Sequence, residues 1–324
     1  MISASYPLLS VEDLRVSFRV DHKPLNPVDG ISFSVQEEDV LGLVGESGCG
    51  KTLTGLSIIR LLPENASFSG RVLYKGEDLF SKKEAELRGI RGRDISMVFQ
   101  EPMTSLNPVF TVGYQIAEVM TTHKGISKKE AIREAQELLR AVKIPSPQLR
   151  IKEYPHQLSG GMRQRVMIAM AIACNPSLII ADEPTTALDV TIQAQVLELL
   201  DSLRRENKMS LLLITHDLGI IAQWAKKVEI MYAGRIVEEA SVREIFTNPR
   251  HPYTIGLLES LPKGRGKRLV PIAGQVPRIE ELSQGCKFSP RCRYAIKECS
   301  HEEPELLPTD NGKHLSRCIR VMEL

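Results

Sequence analysis

The stretch GESGCGKT at residues 45–52 decides the fold; it comprises Gly45, Glu46, Ser47, Gly48, Cys49, Gly50, Lys51 and Thr52. It matches the pattern G-x-x-x-x-G-K-S/T, which binds phosphate when a buried strand precedes it and a helix follows. Both neighbours are predicted: the apolar run VLGLV ends at residue 44, and a helix should run from Lys51 to about residue 61. The glycines let backbone N–H groups converge on one anion, and the helix dipole adds positive potential. We therefore predict a nucleotide-phosphate loop in which Lys51 reaches the terminal phosphates and the Thr52 hydroxyl coordinates Mg²⁺.

A second motif, LIIADEP at residues 178–184, supplies the acidic groups that such a site needs. Four apolar residues predict a buried strand, and the strand ends in a carboxylate pair. An acidic pair usually lies on a solvated surface, but charged residues rarely end a buried strand without a function. We expect Asp182 to hold Mg²⁺, directly or through water, and Glu183 to act as the general base for the attacking water.

Strands and helices alternate along the first three quarters of the chain. Partial apolar alternation predicts strands in LLSVEDLRVSF and DGISFSV, and short apolar runs predict strands at residues 94–100, 211–216 and 228–234. Helices are predicted at 127–142, where Ser127 and Glu130 form a capping box, and at 161–174 and 190–205. This order predicts an α/β domain with a largely parallel sheet.

Between the two motifs lies LSGGMRQR, at residues 158–165. Ser159, Gly160 and Gly161 would form a helix N-terminus with bare backbone amides, which is an anion site or, alternatively, a plain helix cap. In the company of the phosphate loop and LIIADEP, this stretch resembles the signature sequence of ABC (ATP-binding cassette) transporters. The resemblance covers about residues 8–248. It implies a P-loop NTPase cassette with a RecA-like core, an antiparallel β subdomain and a helical subdomain.

The resemblance also implies roles for residues outside these motifs. Gln100 resembles the glutamine that senses Mg²⁺ and the attacking water, and Ala187-Leu188-Asp189 resembles the D-loop that touches the partner subunit. His216 resembles the switch histidine that contacts the γ-phosphate, although a histidine after a strand is more often structural. Phe18 occupies the place of the aromatic residue that stacks on adenine, and it could equally be a core residue of its strand.

Three further stretches narrow the resemblance to the dipeptide and oligopeptide uptake group, which also includes transporters of nickel and other solutes. They are QEPMTSLNPVFTVG from residue 100, DVTIQAQVL from 189 and HPYTIGLLESLP from 251. The composition also changes after about residue 248, where prolines, glycines and cysteines rise, so we expect an ATPase domain at 1–248 and a C-terminal extension at 249–324, with LPKGRGKR at 261–268 as an exposed linker. The implied partners are a second, homologous ATPase subunit forming a heterodimer, two membrane permease subunits and an extracytoplasmic solute-binding protein. Each ATP would be clamped between the phosphate loop of one subunit and the signature of the other.

Composition and chain organisation argue against several other classes of protein. A net charge of +2 over 324 residues gives no argument for nucleic acid. The longest apolar run, nine residues at 166–174, is shorter than the roughly 20 residues of a spanning helix, and no secretory signal is visible, so we expect a peripheral protein at the cytoplasmic face of the membrane. A soluble ABC protein acting on ribosomes or DNA usually has two cassettes or a coiled-coil insertion. A metal-sensing regulator would not need the hydrolytic residues.

Four of the six cysteines crowd into the C-terminal extension with the spacing C-x5-C-x6-C-x18-C; they are Cys286, Cys292, Cys299 and Cys318. Four thiolates suit zinc or an iron–sulfur cluster, but tight C-x2–4-C zinc pairs are absent from this pattern. His301 or His314 could replace one thiolate in a zinc site, unligated thiols remain an alternative, and a disulfide is disfavoured by a reducing compartment. Peptide-uptake relatives carry a similar pattern, which is associated in some with a 4Fe–4S cluster, and this resemblance implies such a cluster here. Cys49 occupies a variable position of the phosphate loop that is commonly serine in relatives, and it is expected to bind phosphate through its backbone; an exposed thiol beside the phosphate would be oxidisable.

Overall fold

The computed structural model describes residues 6–20, 23–186, 188–261, 271–282, 284–309 and 312–323. Ala187 of the predicted D-loop and nearly all of the predicted linker at 261–268 lie outside these ranges.

The strands are β1 (Leu9–Val20), β2 (Lys23–Val35), β3 (Val40–Val44), β4 (Ala66–Tyr74), β5 (Glu77–Asp78), β6 (Ile95–Val98), β7 (Leu178–Asp182), β8 (Ser210–Thr215), β9 (Lys227–Tyr232), β10 (Arg235–Ser241), β11 (Leu307–Pro308) and β12 (Leu315–Ser316). The α-helices are α1 (Lys51–Ile58), α2 (Glu84–Ile90), α3 (Pro102–Ser105), α4 (Val112–Lys124), α5 (Lys128–Ala141), α6 (Pro147–Arg150), α7 (Gly160–Ile172), α8 (Val190–Glu206), α9 (Leu218–Trp224), α10 (Val242–Thr247) and α11 (Pro252–Glu259). Short 3-10 helices span Pro155–Gln157, Ile279–Glu281, Ser289–Arg291, Lys297–Ser300 and Val321–Glu323.

The chain divides into two compact units, and the first contains Met1–Val35, Val40–Phe80 and Leu213–Leu324. Its antiparallel sheet has the strand order β2-β1-β4-β5. A second sheet in this unit has the order β11-β12-β10-β9-β3 and continues to β8, with β3 parallel to β9 and the β9–β10–β12 pairs antiparallel. Every residue of β3 is buried, as its unbroken apolar run predicts.

The C-terminal extension is built into the first unit through Glu238 on β10, whose side chain is completely buried. Its carboxylate accepts hydrogen bonds from the backbone N–H groups of Arg250 at 2.5 Å and His251 at 3.1 Å. The Nε2 atom of His314 lies 2.6 Å from the same carboxylate. A buried carboxylate must be satisfied by such partners, so these contacts tie the extension to the sheet.

The second unit contains Gln36–Asp39 and Ser81–Leu212. Strands β6 and β7 pair in parallel, and β7 is buried throughout. Ser127 caps α5 by accepting a hydrogen bond from the Glu130 N–H at 3.3 Å, and the apolar face of this helix buries Ala131, Ala135 and Leu139. This is the cap and the face that the sequence predicts.

The P-loop cassette fold is confirmed, and each predicted helix and strand is found, most of them within a few residues of the expected bounds; β2 begins six residues earlier than the strand predicted at DGISFSV. Five strands of the described residues were not predicted: β4, β5, β10, β11 and β12. Strand β4 was missed because its sequence lacks apolar alternation, which agrees with the exposure of most of its residues. Strand β10 was missed because it follows β9 after a turn of only two residues, Ala233 and Gly234. Because β10 runs antiparallel to β9, the second sheet is less uniformly parallel than expected. No helix in the described part of the chain is long and apolar enough to cross a membrane. The boundary at residue 248 stays a prediction.

Candidate functional site

The phosphate loop joins β3 to α1, and two of its glycines are required by close backbone approach. A Cβ atom at Gly45 would lie 2.1 Å from the Met231 carbonyl oxygen, and one at Gly50 would lie 2.3 Å from the Pro27 carbonyl oxygen. Gly48 and Gly50 have φ values of +81° and +106°, which favour glycine. A Cβ at Gly48, by contrast, would meet nothing within 4 Å. The loop is therefore packed against Met231 of β9 at its beginning and against Pro27 of β2 at its end, and it is open around Gly48.

Lys51 lies within the curl of this loop, with only 5% of the residue exposed. Its Nζ atom donates hydrogen bonds to the carbonyl oxygens of Gly45 at 2.8 Å and Glu46 at 3.0 Å. Thr52, the next residue, is exposed. The Cys49 thiol is buried, and this burial raises its pKa, so the exposure that oxidation of this thiol would require is not found.

Two residues of the C-terminal extension reach the phosphate loop at Glu46, and the sequence analysis missed both. The Tyr253 hydroxyl accepts a hydrogen bond from the Glu46 backbone N–H at 2.9 Å. The Arg291 guanidinium donates two hydrogen bonds to the Glu46 carboxylate, at 2.6 and 3.0 Å. Since more than 200 residues separate Glu46 from either partner, no local sequence signal indicates these contacts.

In the second unit, the predicted catalytic residues Gln100 and Glu183 meet. The Gln100 side-chain amide donates a hydrogen bond to Glu183 Oε2 at 3.1 Å. Thr186, which was not predicted, donates to the same oxygen at 2.8 Å. Glu183 has a φ of +43°, a strained conformation for a side-chain-bearing residue that is typical of functional sites. Asp182, at the end of β7, is 1% exposed.

The signature residues begin α7 and line an open cavity of about 510 Å³ in the second unit. Ser159 caps the helix by accepting a hydrogen bond from the Met162 N–H at 3.4 Å, so the plain-cap interpretation describes its side chain. Gly160, Gly161, Leu188 and Asp189 line the same cavity, together with the basic side chains of Lys143 and Arg165. This volume lies in the range of small-ligand sites, and a helix N-terminus with two nearby cations suits an anion.

His216 and Phe18 both lie in the first unit. His216 is exposed directly after β8, and the following Asp217 caps α9 by accepting hydrogen bonds from the Gly219 and Ile220 N–H groups. Phe18 is half-buried on β1, opposite Leu25 on β2 and Ala66 on β4. The catalytic role of His216 and the adenine contact of Phe18 stay predictions.

The four clustered cysteines come together around one small cavity of about 20 Å³ in the first unit, which Phe288 also lines. The Cys286 N–H donates to the Cys299 carbonyl oxygen at 2.8 Å. Burial raises the pKa of Cys286 to about 12 and that of Cys318 to about 11. Among the described residues, no group of three or more His, Cys, Asp or Glu side chains is arranged to hold a metal ion. The four cysteines thus share a cavity, but within the part of the chain that the structure describes they do not form a coordination shell for a metal ion.

Comparisons with known proteins place these features in context. A family model described as ABC transporter matches residues 28–186, and one described as oligopeptide/dipeptide transporter, C-terminal region, matches residues 237–299. A "putative peptide import ATP-binding protein" of Brucella abortus (strain 2308) is 49% identical, with 98% of each chain covered. A "probable peptide ABC transporter ATP-binding protein" of Sinorhizobium fredii is 48% identical, covering 98% of this chain and 96% of its own. The solved ATP-binding cassette MJ0796, in a dimeric post-hydrolysis state with ADP and phosphate, matches with a TM-score of 0.64 and 25% identity, over 72% of this chain and 99% of that one.

Proposed function

Because this chain belongs to the ABC transporter family, as the ATP-binding subunit of a peptide importer, we propose that it hydrolyses ATP with Glu183 as the general base and thereby energises the import of di- or oligopeptides. The observation that carries the catalytic assignment is the hydrogen bond from Gln100 to Glu183. A general base must be held in place before the nucleophile arrives, and Gln100 and Thr186 both hold the same carboxylate oxygen.

We assign the phosphates of ATP to the loop at residues 45–52 and the terminal phosphates to Lys51. Its ammonium group already lies within the loop, where it donates to the carbonyl oxygens of Gly45 and Glu46 and contacts the Cys49 sulfur at 3.8 Å. The Thr52 hydroxyl and the Asp182 carboxylate would hold Mg²⁺, because both are the hard oxygen ligands that this ion prefers. When bound, Mg²⁺ neutralises charge that develops on the phosphate oxygens. Gln100 would orient the attacking water, Glu183 would accept its proton, and His216 would contact the γ-phosphate.

We propose that the second half of each nucleotide site comes from a partner subunit. The cavity beside Ser159, Gly160 and Gly161 supports this proposal, since it combines a helix N-terminus with the Lys143 and Arg165 cations. It would receive the ATP held by the phosphate loop of a homologous ATPase subunit in a heterodimer.

The permease subunits would dock on the segment that follows Gln100. Met103 is 59% exposed and Phe110 is 41% exposed, whereas Leu106 of the same segment is buried. An exposed apolar pair of this kind is suited to receive a short helix of a membrane protein. This contact, together with an extracytoplasmic binding protein that delivers the peptide, would place the chain at the cytoplasmic face of the membrane.

We further propose that Cys286, Cys292, Cys299 and Cys318 hold a 4Fe–4S cluster, with a structural role in the loop-rich extension. The proposal is supported by their convergence on one cavity. Deprotonated cysteine is the ligand that such clusters require, and metal binding displaces the thiol protons despite a raised pKa. Iron analysis of anaerobically purified protein tests this assignment: about four irons per chain support it, and stoichiometric zinc or metal-free thiols overturn it.

Two variants in the assembled transporter test the catalytic proposal. Lys51→Ala removes a phosphate contact, so ATP binding should be lost or greatly weakened. Glu183→Gln keeps the side-chain shape and removes the base, so ATP should bind and remain unhydrolysed. Normal hydrolysis by Glu183→Gln would show that another group is the base.

A further inference from the structure

We infer that Arg291, in the C-terminal extension, is a positioning residue for ATP binding that acts through Glu46 of the phosphate loop. This inference rests on the proposed function, because it assigns the loop to ATP. The inference also means that residues of the C-terminal extension help to hold the phosphate loop in its conformation.

The Arg291 side chain is fixed on several sides and is only 5% exposed. Its Nε atom donates a hydrogen bond to the Ala273 carbonyl oxygen at 3.0 Å. Its guanidinium carbon lies 5.8 Å from the centre of the Tyr232 ring and 6.0 Å from that of Phe288. Both remaining nitrogens bind the Glu46 carboxylate. Such planar, two-point pairing constrains orientation as well as distance.

Tyr232 contacts Arg291 and directly follows Met231, the β9 residue against which the loop packs. The Met231 carbonyl oxygen is the atom that a Cβ at Gly45 would strike. The Tyr232 ring also packs against Tyr253 at 4.8 Å between centroids, and the Tyr253 hydroxyl holds the Glu46 N–H. The first two residues of the loop therefore lie between the end of β9 and two side chains of the extension.

Charge gives Arg291 a second effect. Glu46 places a carboxylate on a loop that has to accept the phosphates of ATP, and a nearby uncompensated negative charge opposes an anionic ligand. Arg291 neutralises this carboxylate in a largely buried setting, where the loss of one partner of a charge pair is costly. Removing Arg291 therefore has two consequences for ATP: the loop loses an anchor, and the site gains a repulsive charge.

Equilibrium binding of Mg·ATP to the full-length chain, measured by calorimetry, tests the inference. Arg291→Met should weaken ATP binding at least roughly tenfold, which is about 1.4 kcal/mol. Glu46→Gln should weaken it less, because that variant loses the anchor but leaves an unpaired cation, which does not repel ATP. The double variant E46Q/R291M should bind ATP more tightly than R291M does, because it no longer carries the uncompensated carboxylate. A merely structural arginine would leave the double variant as weak as R291M, and that result would overturn the inference.

Arg293→Met is the matched control, since Arg293 pairs with Glu259, away from the phosphate loop. It should bind ATP like the wild type, and equal losses in R291M and R293M would also count against the inference. Should R291M not fold by circular dichroism, Arg291→Gln replaces it, because glutamine keeps hydrogen-bonding groups and loses the charge. Lys51→Ala separates the two hypotheses: if it binds ATP as well as the wild type, the proposed function itself is wrong, whereas a Lys51-dependent site that is indifferent to Arg291 refutes only this inference.

Discussion

Two glycines of the phosphate loop, exchanged separately for alanine, should have different effects: Gly45→Ala should mainly lower the stability of the fold, and Gly48→Ala should mainly weaken ATP binding. At Gly45 the new Cβ would lie 2.1 Å from the Met231 carbonyl oxygen and 2.7 Å from the Cys49 sulfur. Relieving the backbone contact to an ordinary distance requires a shift of about 1 Å in the loop or in β9, and overpacking of this size costs about 2–3 kcal/mol. At Gly48 the Cβ meets no atom within 4 Å, so only the φ of +81° is unfavourable, at about 1 kcal/mol.

Binding of ATP should reverse this order of severity. The space beside Gly48 is open, so the alanine methyl group would project where a phosphate has to approach the backbone. We expect Gly48→Ala to keep a near-normal urea midpoint and to lose ATP affinity roughly tenfold or more. Gly45→Ala should lower the midpoint and lose affinity only as far as the loop is displaced. Urea unfolding monitored by circular dichroism, with calorimetric ATP titration, measures both. A Gly45→Ala variant as stable as the wild type would refute the packing argument.

Four further outcomes are expected. Thr186→Val removes one hydrogen bond to Glu183 and should slow hydrolysis by roughly three- to tenfold in the assembled transporter, with the ATP dissociation constant unchanged; a normal rate would remove Thr186 from the site. Met103→Asp or Phe110→Asp should uncouple transport from hydrolysis while the melting temperature of the isolated chain stays within a degree or two, about the effect of a neutral surface change; unimpaired peptide uptake would place the permease elsewhere. The isolated chain should hydrolyse ATP poorly, and mixing it with its partner ATPase should raise the specific activity; robust activity that is independent of protein concentration would contradict the shared site. Burial lowers the pKa of His251 to about 3, so the neutral ring stabilises the folded chain fully above the unfolded pKa of 6.5, and the free energy of unfolding should fall as the pH drops toward 3. His251→Asn keeps an acceptor for the Tyr253 N–H and should flatten that pH dependence, measured by urea unfolding at pH 4–7.

The sequence predicted those features of the site that depend on neighbouring residues. Lys51 and Thr52 follow a glycine loop, and Asp182 and Glu183 end an apolar run, so each lies where its strand and helix place it. Gln100 was assigned by resemblance, and its hydrogen bond to Glu183 joins strand ends that are 83 residues apart. The same reasoning could not find Thr186, since a threonine after an acidic pair has no distinctive pattern.

The contacts of the extension were beyond sequence reasoning for a different reason. Arg291 is one of two arginines that flank Cys292, and composition alone does not tell which of them is buried. Only the folded chain shows that Arg291 pairs with Glu46 and Arg293 with Glu259. Likewise, the spacing of the four cysteines indicated a shared site, but the depth of burial that raises the pKa values of Cys286 and Cys318 depends on the packing of the whole segment.

The buried carboxyl group of Glu238 has a consequence for where this chain can be divided. Two of its three partners are backbone N–H groups at residues 250 and 251, and the third is the ring of His314. Cutting the chain at residue 248 would remove all three of these partners and leave the buried Glu238 carboxyl group without them, unless position 238 changed as well. Residue 238 and the segment after residue 248 would therefore have to be exchanged together in an engineered chimera.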